Sequence, residues 1–330
     1  MRPVRIGVLG AARITPLAVL GPARTLGAAE VVAVAARDPQ RARAFAREHA
    51  IARVHETYDA LIADPEVDAV YNPLPNGLHG RWTIAAVEAG KHVLCEKPFT
   101  ANAEEAERVG AAADRAGTVV MEALHDRYHP LGIRMREVVG SGELGVVQHL
   151  EARMLVVLPR RGDLRYRLDL AGGALMDVGC YSIHQLRTLA GTEPTVTSAR
   201  AKLSSPGVDR WMRADLGFSD ASTGRVTCGL LSAQLPIVDI RVQGDAGVLK
   251  ARFPNRPQMF KGFTVHFRDG AKRRERVTGE STYWYQLQAF CAAVQHGTPV
   301  LTPPSDSIAN MRVIDSVYEA AGLEPRQPSR

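Results

Sequence analysis

The chain predicts an α/β protein, with a doubly wound parallel sheet in residues 1–123 and an α+β region carrying a large, open, mainly antiparallel sheet in residues 124–330. Two patterns predict it. Short apolar runs alternate with helical stretches five times up to Glu122, the rhythm of a parallel sheet. Beyond Glu122 most runs alternate apolar with polar residues between glycine turns, the rhythm of antiparallel strands. At 330 residues and 45% hydrophobic content, the chain is long enough for two cores.

The first strand, Arg5 to Leu9, runs into Gly10-Ala11-Ala12-Arg13-Ile14-Thr15, and a helix follows through at least Leu20. A glycine turn between a strand and a helix suits a dinucleotide pyrophosphate, because the helix N-terminus offers free N–H groups to an anion. Ala12 and Thr15 stand where a GxGxxG pattern has its second and third glycines, so the motif alone is weak. Strand Val31 to Ala36 ends in Arg37-Asp38-Pro39, with Asp38 capping a helix to about His49. No acid stands there to accept a ribose hydroxyl and Arg37 supplies a cation, which favours NADP over NAD; a solvated surface arginine is the plain alternative. A helix at Thr57 to Ala63 and a strand at Ala69 to Asn72 lead to the loop Asn72-Pro73-Leu74-Pro75-Asn76-Gly77-Leu78-His79, which two prolines and a glycine keep from continuing as strand.

After the helix from His79, Val93 to Cys95 is one buried strand ending in Glu96-Lys97-Pro98. Ligands of open α/β sheets bind outside the carboxyl ends of the strands, and this corner falls there. Proline keeps Lys97 out of the α region, so its ammonium projects from the strand end. A lone Lys-Pro would read as a surface lysine. Asn102 caps the next helix, to Ala116, with Glu105 completing a capping box, and strand Val119 to Glu122 closes the first region.

A helix at Pro130 to Gly140 precedes runs at Val146 to Val157, Val196 to Leu203, Trp211 to Phe218, Val226 to Leu231, Val238 to Gln243, Val248 to Phe253 and Phe263 to Phe267, with Lys272-Arg273-Arg274 in a hairpin near Gly270. Such a sheet has one broad face free for another subunit. Two helices, Trp284 to His296 and Ser305 to Ala321, precede a proline-containing tail expected to fray. One helix interrupts the sheet pattern: Ala174 to Ala190, preceded by Gly172-Gly173 and stopped at Gly191. At 100° per residue, Asp177, Tyr181, His184 and Thr188 share an arc of about 60°. That arc either faces water or presents a carboxylate, a phenol and an imidazole to a site.

These motifs together resemble the glucose-fructose oxidoreductase/inositol dehydrogenase/rhizopine catabolism (Gfo/Idh/MocA) family: the Gly10 turn, Asn72 to Asn76 with His79, Ala89 to Pro98, Gly172 to Tyr181, and Tyr318 to Leu323. The resemblance implies a Rossmann domain bearing NAD(P), a C-terminal domain whose open sheet often serves dimerisation, and oxidation or reduction of sugars, polyols and related diols. It places the family's catalytic lysine at Lys97 and its substrate-helix aspartate at Asp177. Tyr181 is similar to the dihydrodiol dehydrogenase and glucose-fructose oxidoreductase branches, and Ala171 stands where that branch commonly has a third glycine.

The expected cofactor residues are then Gly10, Ala12, Arg13, Ile14, Arg37, Asn72, Leu74, Pro75, His79, Glu96 and Lys97. Lys97, Tyr181 and Asp177 carry the chemistry, and Arg127, Arg165 and His184 are candidates for holding substrate. Tyr181 would move the hydroxyl proton, its pKa lowered by roughly one to three units beside the Lys97 cation. Dihydrodiol or xylose dehydrogenase and ketosugar reductase remain open, as does a dinucleotide-sensing protein without chemistry.

The formal charge of +6, from 41 basic and 35 acidic residues, is modest and comes with no recognised nucleic-acid module, so a nucleic-acid partner is not expected. The arginines at 37, 41, 43 and 47 and the 272–274 run read adequately as solvated faces. No apolar run approaches a membrane span and the N-terminus enters a strand at once, so a cytoplasmic enzyme without signal or anchor is expected. Four cysteines without metal-type spacing argue for reduced thiols and no metal. The family implies a homodimer or homotetramer through the second sheet.

Overall fold

The computed structural model describes residues 2–158, 162–230, 236–260 and 262–329. The first sheet is six parallel strands: β1 (Val4–Leu9), β2 (Ala29–Ala35), β3 (Arg53–His55), β4 (Ala69–Asn72), β5 (His92–Cys95) and β6 (Val120–Glu122), in the order β3-β2-β1-β4-β5-β6. Its crossovers are α1 (Gly21–Leu26), α2 (Pro39–His49), α3 (Tyr58–Ile62), α4 (His79–Glu88) and α5 (Ala103–Ala116). Strand order reverses beside β1, so β1 and β4 open a crevice at their carboxyl ends. Sequence reading passes over β3, whose three half-buried residues give no apolar run. The helix after Gly10 opens with a π turn over Pro16–Leu20 before α1. Asp38 caps α2 as expected, accepting from the Gln40 and Arg41 amides. Asn102 caps α5, but Glu105 reaches back to the Ala101 amide rather than to that of Asn102, one residue short of a regular capping box.

After α6 (Pro130–Gly140), the second sheet has eight strands: β7 (Val147–Leu155), β8 (Thr195–Ser205), β9 (Val208–Gly217), β10 (Thr223–Gly229), β11 (Ile237–Gly244), β12 (Gly247–Arg252), β13 (Gly262–Phe267) and β14 (Lys272–Arg276). All neighbours are antiparallel except β7 and β10. Leu231, where one expected strand ends, lies outside the described residues. The inner face carries Leu150, Ala152, Val226 and Val242 into the core beneath α7 (Cys180–Ala190). The outer face is polar, with Arg200 directly opposite Arg213 and Arg241 directly opposite Lys250.

After the short helix α8 (Pro257–Phe260), the last two helices tie the sheets together. Helix α9 (Thr282–His296) returns to the first sheet, burying Leu287, Phe290 and Cys291 against Ile6, Val8 and Val34. Each of the larger two is worth about 1.5–3 kcal/mol of burial. Helix α10 (Pro304–Ala320) packs on both α5 and α7, so one continuous core runs from the first sheet to the second. The tail expected to fray is instead held: Arg326 is buried and Ser329 donates its amide to Gly77 O at 2.7 Å. Among the described residues no helix is long and apolar enough to cross a membrane, and no cluster of His, Cys, Asp or Glu has metal-binding geometry.

Candidate active site

Strand β5 is buried to its last residue, and in the Glu96-Lys97-Pro98 corner that follows, where the Lys97–Pro98 bond is cis, only Lys97 is half-buried. Lys97 crosses to the second domain. Its Nζ lies 3.0 Å from Asp177 Oδ1 and donates to Asp177 O at 2.8 Å. The other carboxylate oxygen of Asp177 pairs with Arg165 Nε at 3.0 Å, and Arg165 continues to Asp163 at 3.1 Å. One carboxylate therefore serves two cations. Burial opposes the Asp177 charge, but Lys97 and Arg165 outweigh it and hold the carboxyl below its usual range. Burial likewise opposes the Lys97 charge, and Asp177 keeps the ammonium above its ordinary value.

Asp177 sits in a π turn, Leu175–Gly179, that leads into α7. Such turns are often found at functional sites, and this one breaks the uniform 100° spacing used to place Asp177 and Tyr181 on one arc. The whole arc is turned inward: Asp177, Tyr181 and His184 are buried and Thr188 half-buried.

Tyr181 is beside Lys97 but is not the partner of its charge. The ammonium lies 5.3 Å from the centre of the phenol ring, over its face. Burial, reinforced by Tyr283 and Glu96, holds the phenol well above its ordinary pKa. The lowering expected from Lys97 is thus corrected: Asp177 takes up the cation, and Tyr181 is a neutral phenol. Its ring meets His125 edge-on at 5.5 Å, and His125 lies 4.2 Å from Tyr283. Burial, then Lys97, push His125 down to about 3, so it is neutral. Glu96 accepts from the Tyr71 hydroxyl at 2.8 Å, and burial holds its carboxyl above the usual range against the pull of Lys97.

The dinucleotide edge lies at the ends of β1, β2 and β4. Gly10 has φ +90°, and a Cβ there would stand 3.2 Å from Leu74 Cδ2, so the turn requires glycine. Ala12 and Ile14 are half-buried and Arg13 exposed; Thr15 is buried with its hydroxyl unpartnered. A glycine cradle beside an unsatisfied hydroxyl at a helix start fits a dinucleotide phosphate. At the end of β2 Arg37 is exposed, its amide donating to the Tyr58 hydroxyl at 3.2 Å, and Arg41 reaches Ala11 O at 3.3 Å. Two cations, not one, flank the turn.

Of the loop after β4, Leu74 packs on Gly10 and Pro75 is half-buried. Asn72 and His79 point inward. Asn72 Nδ2 donates to His79 O and Thr83 Oγ1, both at 3.1 Å, and the His79 ring spans Leu74 O and Pro98 O at 2.6 and 2.7 Å. Both side chains fix the loop against the Lys97 corner.

The family model described as an oxidoreductase family with an NAD-binding Rossmann fold matches residues 4–124, and the GFO/IDH/MocA C-terminal domain matches residues 133–250. The chain belongs to the Gfo/Idh/MocA family. It is an NAD(P)-dependent oxidoreductase of sugar-like substrates. It is 38% identical to D-xylose 1-dehydrogenase (NADP(+)) 2 of Haloferax volcanii, over 96% of both chains. It is 33% identical to trans-1,2-dihydrobenzene-1,2-diol dehydrogenase of Danio rerio, over 66% of this chain and 65% of that one. In structure it matches KijD10, a 3-ketoreductase from Actinomadura kijaniata in complex with NADP and TDP-benzene, at a TM-score of 0.90 and 28% identity, covering 96% and 98% of the two chains.

Within this Gfo/Idh/MocA scaffold the three substrate candidates separate. Arg165 joins the Lys97 cluster, its charge met by Asp163 and Asp177. His184 turns to Asp306, Nε2 to Oδ2 at 3.1 Å, and lines with Arg127 a cavity of about 30 Å³ on the far side of α7. Neither is brought to Lys97. His125 and Tyr71 carry no signal in the sequence, whereas Tyr283, beside Trp284 and Tyr285 at the start of α9, reads from sequence as either pocket wall or core.

Proposed function

We propose that this protein transfers a hydride between nicotinamide C4 and a carbinol or carbonyl carbon of a sugar, polyol or related diol, with Tyr181 as proton carrier and Lys97 as its electrostatic partner. The observation that carries the reading is the Lys97–Asp177 pair from two domains, closed beside the neutral phenol of Tyr181. NADP, favoured over NAD, would be held at the Gly10–Ile14 turn with Arg37 and Arg41 toward its 2′-phosphate, which is the place of an acidic residue in NAD-selective sheets. The NADP named for the Haloferax dehydrogenase and bound to KijD10 supports that choice. When bound, the cofactor gives or takes the hydride.

The rest falls to the chain. A neutral Tyr181 donates its proton to the oxygen of a carbonyl being reduced, and the Lys97 cation stabilises the negative charge developing on that oxygen and on the phenol. Asp177 holds the ammonium in place, and Tyr283 with His125 walls the phenol from water. In the oxidative direction the phenol first gives its proton to solvent, and the phenolate, stabilised by the Lys97 cation, then takes the proton of the substrate hydroxyl. D-xylose, a trans-dihydrodiol and a nucleotide-linked ketosugar are the substrates to test first, after the three relatives. We also propose self-association across the outer face of the second sheet, and a cytoplasmic location in keeping with four buried free cysteines.

Titration of the protein with NADPH and NADH, followed by nicotinamide fluorescence, tests the cofactor site. Binding of NADPH about tenfold tighter, a preference lost in Arg37→Ser and reduced in Arg41→Ala, is expected. Equal affinity for the two cofactors in the unchanged protein contradicts the assignment.

A further inference from the structure

The C-terminal segment Glu324–Ser329 forms neither helix nor strand, yet its arginine is among the most deeply buried charges of the fold: Arg326 is 2% exposed. We propose that Arg326 is a positioning residue for the Lys97–Asp177 pair, and that this segment is a brace setting one side of the active site against the other. The proposal rests on the reading of Lys97 and Asp177 given above.

On the substrate side, Arg326 Nη2 binds Asp209 Oδ1 at 2.7 Å and Nε donates to Gly172 O at 2.8 Å. Its guanidinium lies 4.0 Å from the centre of the Tyr318 ring, whose hydroxyl donates to the same Asp209 oxygen at 3.0 Å. Asp209 is completely buried, and its second oxygen accepts the Leu175 amide at 2.7 Å. That amide opens the π turn carrying Asp177, and the Asp177 amide in turn donates to Gly173 O at 3.0 Å. Arg326 therefore acts on Asp177 through Asp209 and the Gly172-Gly173 backbone. Those glycines leave the room it needs: a Cβ on Gly173 would stand 2.1 Å from Asp209 Oδ1 and 3.0 Å from Arg326 Nη2.

On the cofactor side, Arg326 O accepts from Asn102 Nδ2 at 2.7 Å, and Asn102 caps the helix that follows the Lys97 corner. Two contacts further along, the Ser329 amide donates to Gly77 O at 2.7 Å and its hydroxyl to Asp169 O at 2.5 Å. Gly77 belongs to the loop between Asn72 and His79, and a Cβ on it would stand 2.2 Å from Ser329 Oγ. One six-residue segment thus touches the Asn102 side chain five residues beyond Lys97, the Gly172 carbonyl five residues before Asp177, and the loop between Asn72 and His79. A lysine and a carboxylate from separate domains stay in register only if their supports do, and misplacement by about 1 Å can cost about 100-fold in rate.

Arg326→Ala in the full chain is the test, read by kcat, by the NADPH dissociation constant, and by rescue with guanidinium chloride at tens of millimolar. We expect kcat to fall by about tenfold or more, NADPH binding to change by less than about threefold, and guanidinium to restore kcat where equal sodium chloride or urea does not. Should that variant fail to fold, Arg326→Lys keeps the charge on Asp209 but cannot also reach Gly172 O, and a fall in kcat of about fivefold or more is expected. A variant that folds and keeps kcat within about twofold, while only its melting temperature drops, overturns the proposal and leaves a structural clip. Asp177→Asn measured alongside separates the two levels. If it lowers kcat while the Arg326 variants do not, this inference alone fails; if it leaves kcat unchanged, the reading beneath it fails too.

Discussion

The π turn that leads into α7 and the far part of that helix both carry buried polar groups and do different things with them. At the far end a run of side chains pairs within the chain, His184 on Asp306, Asp306 on Arg187 at 3.2 Å, and Arg187 on Glu193 at 2.6 Å and Asn310 at 3.3 Å, while Asp126 Oδ1 and Arg127 Nε beside it are buried without a partner. At the near end Asp177 meets a lysine from another domain, and Tyr181 touches its neighbours only through its ring. Burial and titratable side chains are common to both, so neither marks a site. What differs is the partner: the run His184–Asp306–Arg187–Glu193 pairs side chain to side chain, whereas among the described residues the Tyr181 hydroxyl makes no hydrogen bond.

The largest effect should come from breaking the near end at its cation. Lys97→Met is expected to lower kcat by about 100- to 1,000-fold, the usual cost of removing one preorganised electrostatic group, with circular dichroism and NADPH binding little changed. Asp177→Asn should cost less, about 10- to 100-fold, since it displaces the ammonium without deleting it. A KM that rises alone would argue instead that Asp177 only binds substrate. At the far end, His184→Leu should leave kcat within about threefold and lower unfolding free energy in urea by about 1–3 kcal/mol, because Asp306 loses a donor. A large loss of kcat at unchanged stability would erase the contrast between the two ends.

An effect on stability rather than rate sits behind the corner. Burial, offset in part by Ser307, pushes the Glu122 carboxyl up to about 8. Its folded pKa lies above the unfolded one, so its stabilising contribution is complete below about pH 4 and is lost as pH rises toward about 8. The unchanged protein should therefore lose up to about 1.4 kcal/mol per pH unit across that window relative to Glu122→Gln, in urea unfolding series at matched pH. Parallel curves for the two proteins would show that Glu122 does not titrate on unfolding.

How much of this was legible depended on range in sequence. The Lys97 corner was readable because strand, proline and Asn102 cap follow one another within about ten residues, each with a local physical reason. The Gly10 turn and the Asp38 cap were local too. Strand β3 was not, because Arg53-Val54-His55 pairs only with one edge of β2 and shows no periodicity. The protonation of Tyr181 was misjudged for a different reason. Proximity of Lys97 could be inferred, but which group takes up its charge is set by a carboxylate 80 residues away. Arg326 was hidden most completely, since a polar, proline-containing tail has the composition of a frayed end and its partner Asp209 lies 117 residues earlier.

Single-turnover reduction by NADPH in Tyr181→Phe, with cofactor binding measured on the same preparation, tests the central claim most directly. The phenyl ring keeps the packing against His125 and the Lys97 cation and removes only the hydroxyl that carries the proton. NADPH binding within about threefold of the unchanged protein, with hydride transfer slowed by about 100-fold or more, is the result expected of a proton carrier. Transfer within about tenfold of the unchanged rate would mean that the proton comes from elsewhere, and that the near end of α7 is a scaffold like the far one.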